Sequence, residues 1–337
     1  MGQLLSGPVT ALHQPTAIEL DSALAQYKSY RVRRYRATTV AGELPGLLNL
    51  VDHMRARGVL YTCDLTPALV EEWFDGLDVQ ESTRVTRLGQ TRSFVRFLRR
   101  NGWLAADPTA LIRAQKPMPR VRDQLEAAEL LDLLDRTEWP LHRALVALAT
   151  NLALRANELR LLTVGDVNLG KYTIKVQIPK TRDAEVMPLT LELASELASW
   201  LRHYQEACPA LTPRSFLLPS QYVDNVTGRT IYRHTQMVGR NYPAEVVAQA
   251  LTRIGWDGDT GVHTVRRSLA RIFFDDVEQR ETFDSALLST MSLLHHTRPE
   301  QTLAYIGRSR AQLARDRVLQ GKSFLRRIAN PGLTVVD

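Results

Sequence analysis

The sequence predicts a mainly α protein in two parts: an N-terminal helical bundle, then a mixed α+β domain with one small antiparallel β-hairpin. Three observations predict it. Apolar residues recur at helical spacing from Thr39 to Gly102. A basic stretch broken by two prolines, Gln115-Lys116-Pro117-Met118-Pro119-Arg120-Val121-Arg122, then interrupts the pattern. Beyond it, among further helical segments, Tyr172 to Ile178 alternates like a strand and Ala184 to Met187 reads as its return. A chain of 337 residues suffices for two domains.

Taken in order, residues 1–37 read as a loose arm with a short helix from Ile18 to Tyr30. Tyr30-Arg31-Val32-Arg33-Arg34-Tyr35-Arg36 interleaves cations with aromatics, which suits either a phosphate backbone or a solvated connector. Residues 38–114 form the bundle, of four or five helices. Its first helix, Thr39 to Arg57, carries Leu44, Leu47, Leu48 and Val51 and stops at Gly58. Asp64-Leu65-Thr66-Pro67 starts a helix over Ala68 to Leu77, because proline is tolerated in a first turn. A longer helix runs from Ser82 to Asn101. At about 100° per residue, Arg92, Arg96, Arg99 and Arg100 share one arc, with Phe94, Phe97 and Leu98 opposite. One side is built for a core and the other for anions or water. Asp107-Pro108-Thr109 reads as a further short helix start.

Residues 115–122 are the linker and 123–309 the second domain. It opens with helices over Leu125 to Leu134 and Pro140 to Ala149, then a helical turn after Asn157. The hairpin follows, with Lys180 in its Pro179 to Asp183 turn, and then a helix from Leu191 to Ala207. Residues 210–243 show no clear periodicity. Helices resume over Ala244 to Ile254 and from His263 to Phe274. Pro299 starts a short helix that holds Tyr305, and residues 310–337 are a C-terminal helix and tail, the helix running from Arg310 to Arg327 with an Asn-Pro-Gly stop at 330–332.

Composition bounds the partners. The apolar fraction is 44% and the charged fraction 23%, ordinary for a soluble globular protein. The formal charge is +7, and arginine carries most of the cations, which points first to nucleic acid. Cys63 and Cys208 stand far apart, which argues against a zinc ribbon or a disulfide framework and for a reducing cytoplasm. No apolar run nears the roughly 18 residues that span a bilayer, and the start lacks a signal-peptide pattern, so the expected site is cytoplasmic with no membrane partner.

Five segments of the second domain carry polar side chains suited to phosphate chemistry. They are Leu154-Arg155-Ala156-Asn157-Glu158-Leu159, Lys180, His263-Thr264-Val265-Arg266, the pair His295-His296, and Tyr305 nine residues after His296. Spacing of three puts His263 and Arg266 on one helix face. Each alone reads as readily as an ion pair, a surface charge or a core tyrosine.

As an ordered set after a basic helical bundle, these segments resemble the tyrosine recombinase, or phage integrase, family over about residues 38–310. The departure is His295, which stands where the family has glycine; spacing to Tyr305 favours His296 as the motif histidine. The interval from Arg266 to His296 also suggests an insertion around Asp275 to Asp284.

The resemblance implies metal-free, ATP-free transesterification of DNA with no cofactor. Tyr305 would be the nucleophile that forms a 3′-phosphotyrosyl link. Arg155, Arg266 and His296 would hold the scissile phosphate, and His263 would move a proton near the nucleophile. Lys180 would protonate the leaving 5′-oxygen, and Glu158 would orient these groups. The two domains would form a C-shaped clamp on double-stranded DNA carrying a specific core site. Arg92, Arg96, Arg99, Arg100, Arg120 and Arg122 are the candidate DNA contacts. Strand exchange would run through a Holliday junction in a homotetramer, with the tail docked on a neighbouring protomer or on its own domain. It leaves room for an accessory DNA-bending protein or a partner recombinase. With about 37 residues before the bundle, a simple core-site recombinase is the expectation. A type IB topoisomerase and a catalytically silent DNA-binding protein are the competing readings.

Overall fold

Leu20, Ala23, Leu24 and Tyr27 recur at helical spacing, and their burial draws helix α1 (Leu20–Val32) into the core of the bundle. The bundle therefore begins well before residue 38. The computed structural model describes residues 15–115, 122–178, 183–309, 311, 312 and 315. It divides into two compact units, residues 1–120 and 121–337.

In the first unit, α1 is followed by α2 (Ala37–Ala56), α3 (Pro67–Asp75) and α4 (Glu81–Arg100). The Thr66 hydroxyl caps α3 by accepting from the Leu69 N–H. The buried stripe of α2 is Leu47, Leu50, Val51 and Met54, while Leu48 is 49% exposed. It meets Phe94, Val95 and Leu98 of α4 and Trp73 of α3. Burying each such side chain contributes about 1.5–3 kcal/mol before entropy is subtracted. No helix starts at Asp107. Its carboxylate accepts from the Thr109 backbone N–H at 2.8 Å and hydroxyl at 2.6 Å, a local turn that competes with helix. The basic segment after α1 is partly turned inward. Arg31 is paired with Glu43 and stacks 3.5 Å from the Tyr35 ring centre, and Arg34 lies 4.2 Å from that of Tyr30.

The second unit is built round α6 (Pro140–Leu152), whose Leu141, Leu145, Val146 and Leu148 are fully enclosed. Ahead of it lies α5 (Ala127–Asp135), and after it the short α7 (Ala156–Leu161). Strands β1 (Val167–Asn168), β2 (Thr173–Ile178) and β3 (Asp183–Pro188) form an antiparallel sheet in which Val176 pairs with Glu185. Ile174, Val176 and Ile178 alternate inward, the period-two pattern read from the sequence. The turn residue Lys180 lies outside the described residues.

Helix α8 (Leu191–Ala207) is capped by Thr190. The unreadable region 210–243 holds a second hairpin, β4 (Pro219–Val223) and β5 (Thr230–Met237). Only Pro219 on β4 and Tyr232 on β5 are buried, so neither strand shows an alternating pattern. Helices α9 (Tyr242–Arg253), α10 (Val262–Arg280), α11 (Phe283–Leu294) and α12 (Pro299–Ile306) complete the unit. Residues 275–284, where the sequence suggests an insertion, are the last turns of α10, a short link and the start of α11. The proposed tail helix lies outside the described residues except at 311, 312 and 315. Among the described residues no helix is long and apolar enough to cross a membrane.

Candidate active site

The site forms where three helix ends meet. Helix α6 stops because Ala153 takes the left-handed conformation, φ 48°, which turns the chain into Leu154 and Arg155. Helix α11 stops the same way at His295, φ 52°. Carbonyls at such ends lack partners within the helix. Here arginines fill that need: Arg266 donates to the Ala153 carbonyl and, at 2.6 Å, to the Leu294 carbonyl. Arg155 reaches the same Leu294 carbonyl at 3.3 Å. Two guanidinium groups thus converge on one backbone oxygen.

Glu158 holds them there. Its carboxylate accepts from the Arg155 backbone N–H at 2.7 Å and from Arg155 Nη1 at 2.8 Å. It also lies 3.6 Å from Arg266 Nη1. With Glu158 2% exposed and Arg266 1% exposed, this is a buried carboxylate serving two cations. A net positive charge remains. Burial first, and the Arg155 charge second, push the Arg266 guanidinium down to about 10.

Tyr305 joins this cluster from α12, whose start is set by Pro299 and whose end by Gly307 at φ 68°. Its ring centre lies 6.0 Å from the Arg266 guanidinium carbon and 5.5 Å from the His296 ring, edge to face. Its hydroxyl donates to the His263 carbonyl at 3.4 Å. Burial raises the phenol pKa, and Arg266, Arg267 and Arg155 oppose that rise. The phenol is therefore protonated at neutral pH.

The two histidines separate cleanly. His296 is buried, with Nδ1 3.0 Å from the Thr302 hydroxyl, and it faces Tyr305. His295 faces away, with Nδ1 2.9 Å from Glu185 on β3. His263, at the start of α10, has its imidazole pushed down by desolvation and then by Arg266, Arg155, Arg267 and Arg122. Arg155, Glu158, His263, Arg266, His296 and Tyr305 are thus brought together.

Sequence reasoning missed Thr302, Arg267 and the carbonyls of Ala153 and Leu294. Arg267 is 4% exposed, donates to the Asp123 carbonyl at 3.1 Å and lies near enough to Tyr305 to lower its pKa. The doubled arginine at 266–267 was the signal for it; backbone acceptors leave none. Among the described residues no three His, Cys, Asp or Glu side chains gather as a metal cage.

The candidate DNA contacts fall into different settings. Arg96, Arg99 and Arg100 are exposed. Arg92 instead donates to the Ile112 carbonyl at 2.7 Å and the Thr109 carbonyl at 3.5 Å, bracing the chain after α4. Arg122 is exposed and close enough to His263 and Arg267 to lower both. Arg120 lies outside the described residues.

A helical unit with two small antiparallel sheets, in which an Arg–Glu turn, a His-x-x-Arg helix start and a His–Tyr segment converge, is one recognisable class of architecture. The chain belongs to the phage integrase family, which it matches over residues 122–307. It is 23% identical over 224 residues to the tyrosine recombinase XerC of Chlamydia muridarum, a match covering 65% of this chain and 64% of that relative. The chain thus spans less than two thirds of that relative's length. Solved structures share the fold, two of them as follows. One is a lambda integrase tetramer bound to a Holliday junction, with TM-score 0.65 and 18% identity, covering 90% of this chain and 82% of that one. The other is the XerH site-specific recombinase bound to a palindromic difH substrate in a post-cleavage complex. Its TM-score is 0.65 at 15% identity, covering 89% of this chain and 85% of that one.

Proposed function

We propose that this chain is a site-specific DNA recombinase that cleaves and rejoins DNA through a phosphotyrosyl link at Tyr305. The observation that carries the reading is the convergence of Arg266 and His296 on the Tyr305 ring, with Arg155 joined to Arg266 through the Leu294 carbonyl.

In this reading a scissile phosphate binds beside Arg155, Arg266 and His296. The forked guanidinium donors neutralise its oxygens and stabilise the added charge of the pentavalent transition state. The Tyr305 oxygen attacks phosphorus and loses its proton as the bond forms. The raised phenol pKa makes proton removal part of the step, and His263, whose backbone carbonyl accepts from the Tyr305 hydroxyl and whose imidazole is held neutral by its surroundings, is the residue assigned to that transfer. The P–O5′ bond breaks, its electron pair stays on the 5′-oxygen, and Lys180 supplies the proton there. Glu158 keeps both arginines aligned and takes no part in bond making. The link conserves bond energy, so a second strand's 5′-hydroxyl reverses the step without ATP. The XerH complex captured after cleavage and the lambda integrase tetramer on a junction support extending this to strand exchange by four protomers on two duplexes. Arg96, Arg99, Arg100, Arg120 and Arg122 are the proposed backbone contacts.

The test is to footprint the protein on DNA flanking its gene, then incubate it with a nicked duplex carrying the protected sequence. Covalent protein–DNA adduct and recombinant product are the expected results. Relaxation of supercoiled DNA with no protected site and no recombinants would favour a topoisomerase, and specific binding without adduct a silent DNA-binding protein.

A further inference from the structure

Glu185 stands on β3 opposite Val176, and its carboxylate lies 2.9 Å from Nδ1 of His295. Two features of His295 disfavour a histidine at that position. Its backbone is left-handed, φ 52°, a conformation that suits glycine. Its side chain is 4% exposed, and Nε2 has no protein partner among the described residues. Glycine would remove both penalties. What histidine adds is the contact with Glu185, which joins the β2–β3 hairpin to the residue next to His296. Glu185 follows Lys180 by five positions on the same hairpin.

We infer that Glu185 is a positioning residue: through His295 it ties the hairpin that carries Lys180 to the loop that carries His296. This rests on the function proposed above. Phosphate binding and leaving-group protonation come from segments far apart in sequence. Each must be placed to within a fraction of an ångström for the proton to arrive as the P–O5′ bond breaks. The contact between Glu185 and His295 holds β3, which follows Lys180 in sequence, against the residue next to His296.

The test separates this role from mere support. A nicked duplex carrying the footprinted site is made in two forms, one ordinary and one with sulfur replacing the bridging 5′-oxygen at the scissile phosphate. Sulfur leaves as a thiolate and needs no proton. Glu185→Ala and His295→Gly are expected to slow cleavage of the oxygen form roughly 10- to 100-fold and to leave the sulfur form within about threefold of wild type. An unchanged oxygen-form rate, or an equal loss on both forms, overturns the inference. Hydrogen exchange on the full chain without DNA gives a second reading. Amides of Thr173–Ile178 should exchange faster in Glu185→Ala than in wild type, and Glu185→Gln, which keeps an acceptor, should restore slow exchange. Equal exchange in all three proteins overturns the tie. If the wild-type chain forms no adduct on either form, the proposed function itself fails, a result distinct from either of these, and the inference falls with it.

Discussion

The Arg266 guanidinium, 1% exposed, lies 3.6 Å from the carboxylate of Glu158, itself 2% exposed. That carboxylate raises the pKa of Arg266 while burial and Arg155 lower it. Glu158→Gln should therefore shift the Arg266 pKa further down from about 10. The charged form exists below the pKa, so cleavage at limiting DNA should fail at lower pH on the alkaline side than in wild type. The rate at pH 7 should drop roughly 10- to 100-fold, and Arg266→Ala should cost about 100-fold or more. Single-turnover cleavage across pH 7–10.5 checks both.

His263 gives the opposite limb. Its imidazole is pushed below the usual value of about 6.5. It stays neutral at pH 7, so cleavage should hold from pH 7 to 6.5 and fall only below that. The same shift means that, between the folded pKa and the ordinary value, the unfolded chain binds a proton the folded chain does not, so this group's contribution to stability is present above about 6.5 and is lost as pH falls below that towards the lower folded value. Single-turnover cleavage should lose its acid limb in His263→Gln, at a lower overall rate. An unchanged limb in that variant would assign it to another group.

The adjacent histidines should behave differently. His296→Ala removes the ring set against Tyr305 and the hydrogen bond to Thr302. It should slow cleavage roughly 100-fold on any leaving group, since an oxyanion donor is lost. Thr302→Val should give a smaller loss of the same kind, about 10-fold, by removing the hydroxyl that meets Nδ1 of the His296 ring. Burst kinetics on the nicked duplex check both.

The arginines of α4 divide by what they touch. Arg96, Arg99 and Arg100 are exposed, and each changed to alanine should weaken DNA binding and reduce the salt slope of log Kd by about 1. Arg92→Ala should instead lower thermal stability by about 1–3 kcal/mol, because the buried Ile112 carbonyl loses its donor. Binding titrations at several salt concentrations, with melting curves, separate the two.

The limits of legibility follow the same physics. Helix α8 is bounded as the sequence reads it, Leu191–Ala207, because a threonine cap precedes it and a Cys-Pro pair ends it. The β2–β3 register follows from alternation. The β4–β5 hairpin was hidden because few of its side chains are buried. Helix α11 was hidden because only Ala286, Thr290 and Leu294 of it are buried, a thin stripe with one large apolar side chain, although Thr282 caps it. Arg92 lies on the same helical arc as its neighbours, and periodicity cannot tell a solvated arginine from one spent on a carbonyl. In the site, ordered motifs marked Arg155, Glu158, His263, Arg266, His296 and Tyr305. The αL turns at Ala153 and His295 could not be read, because neither residue is glycine.

The central claim is that Tyr305 is the nucleophile, and peptide mapping of the covalent adduct tests it most directly. After cleavage of the nicked duplex, nuclease and protease digestion should leave one nucleotide-bearing peptide, with the phosphate on the Tyr305 oxygen, and Tyr305→Phe should bind the duplex and yield none. A modified peptide centred on any other residue, or an undiminished adduct from Tyr305→Phe, would contradict the account.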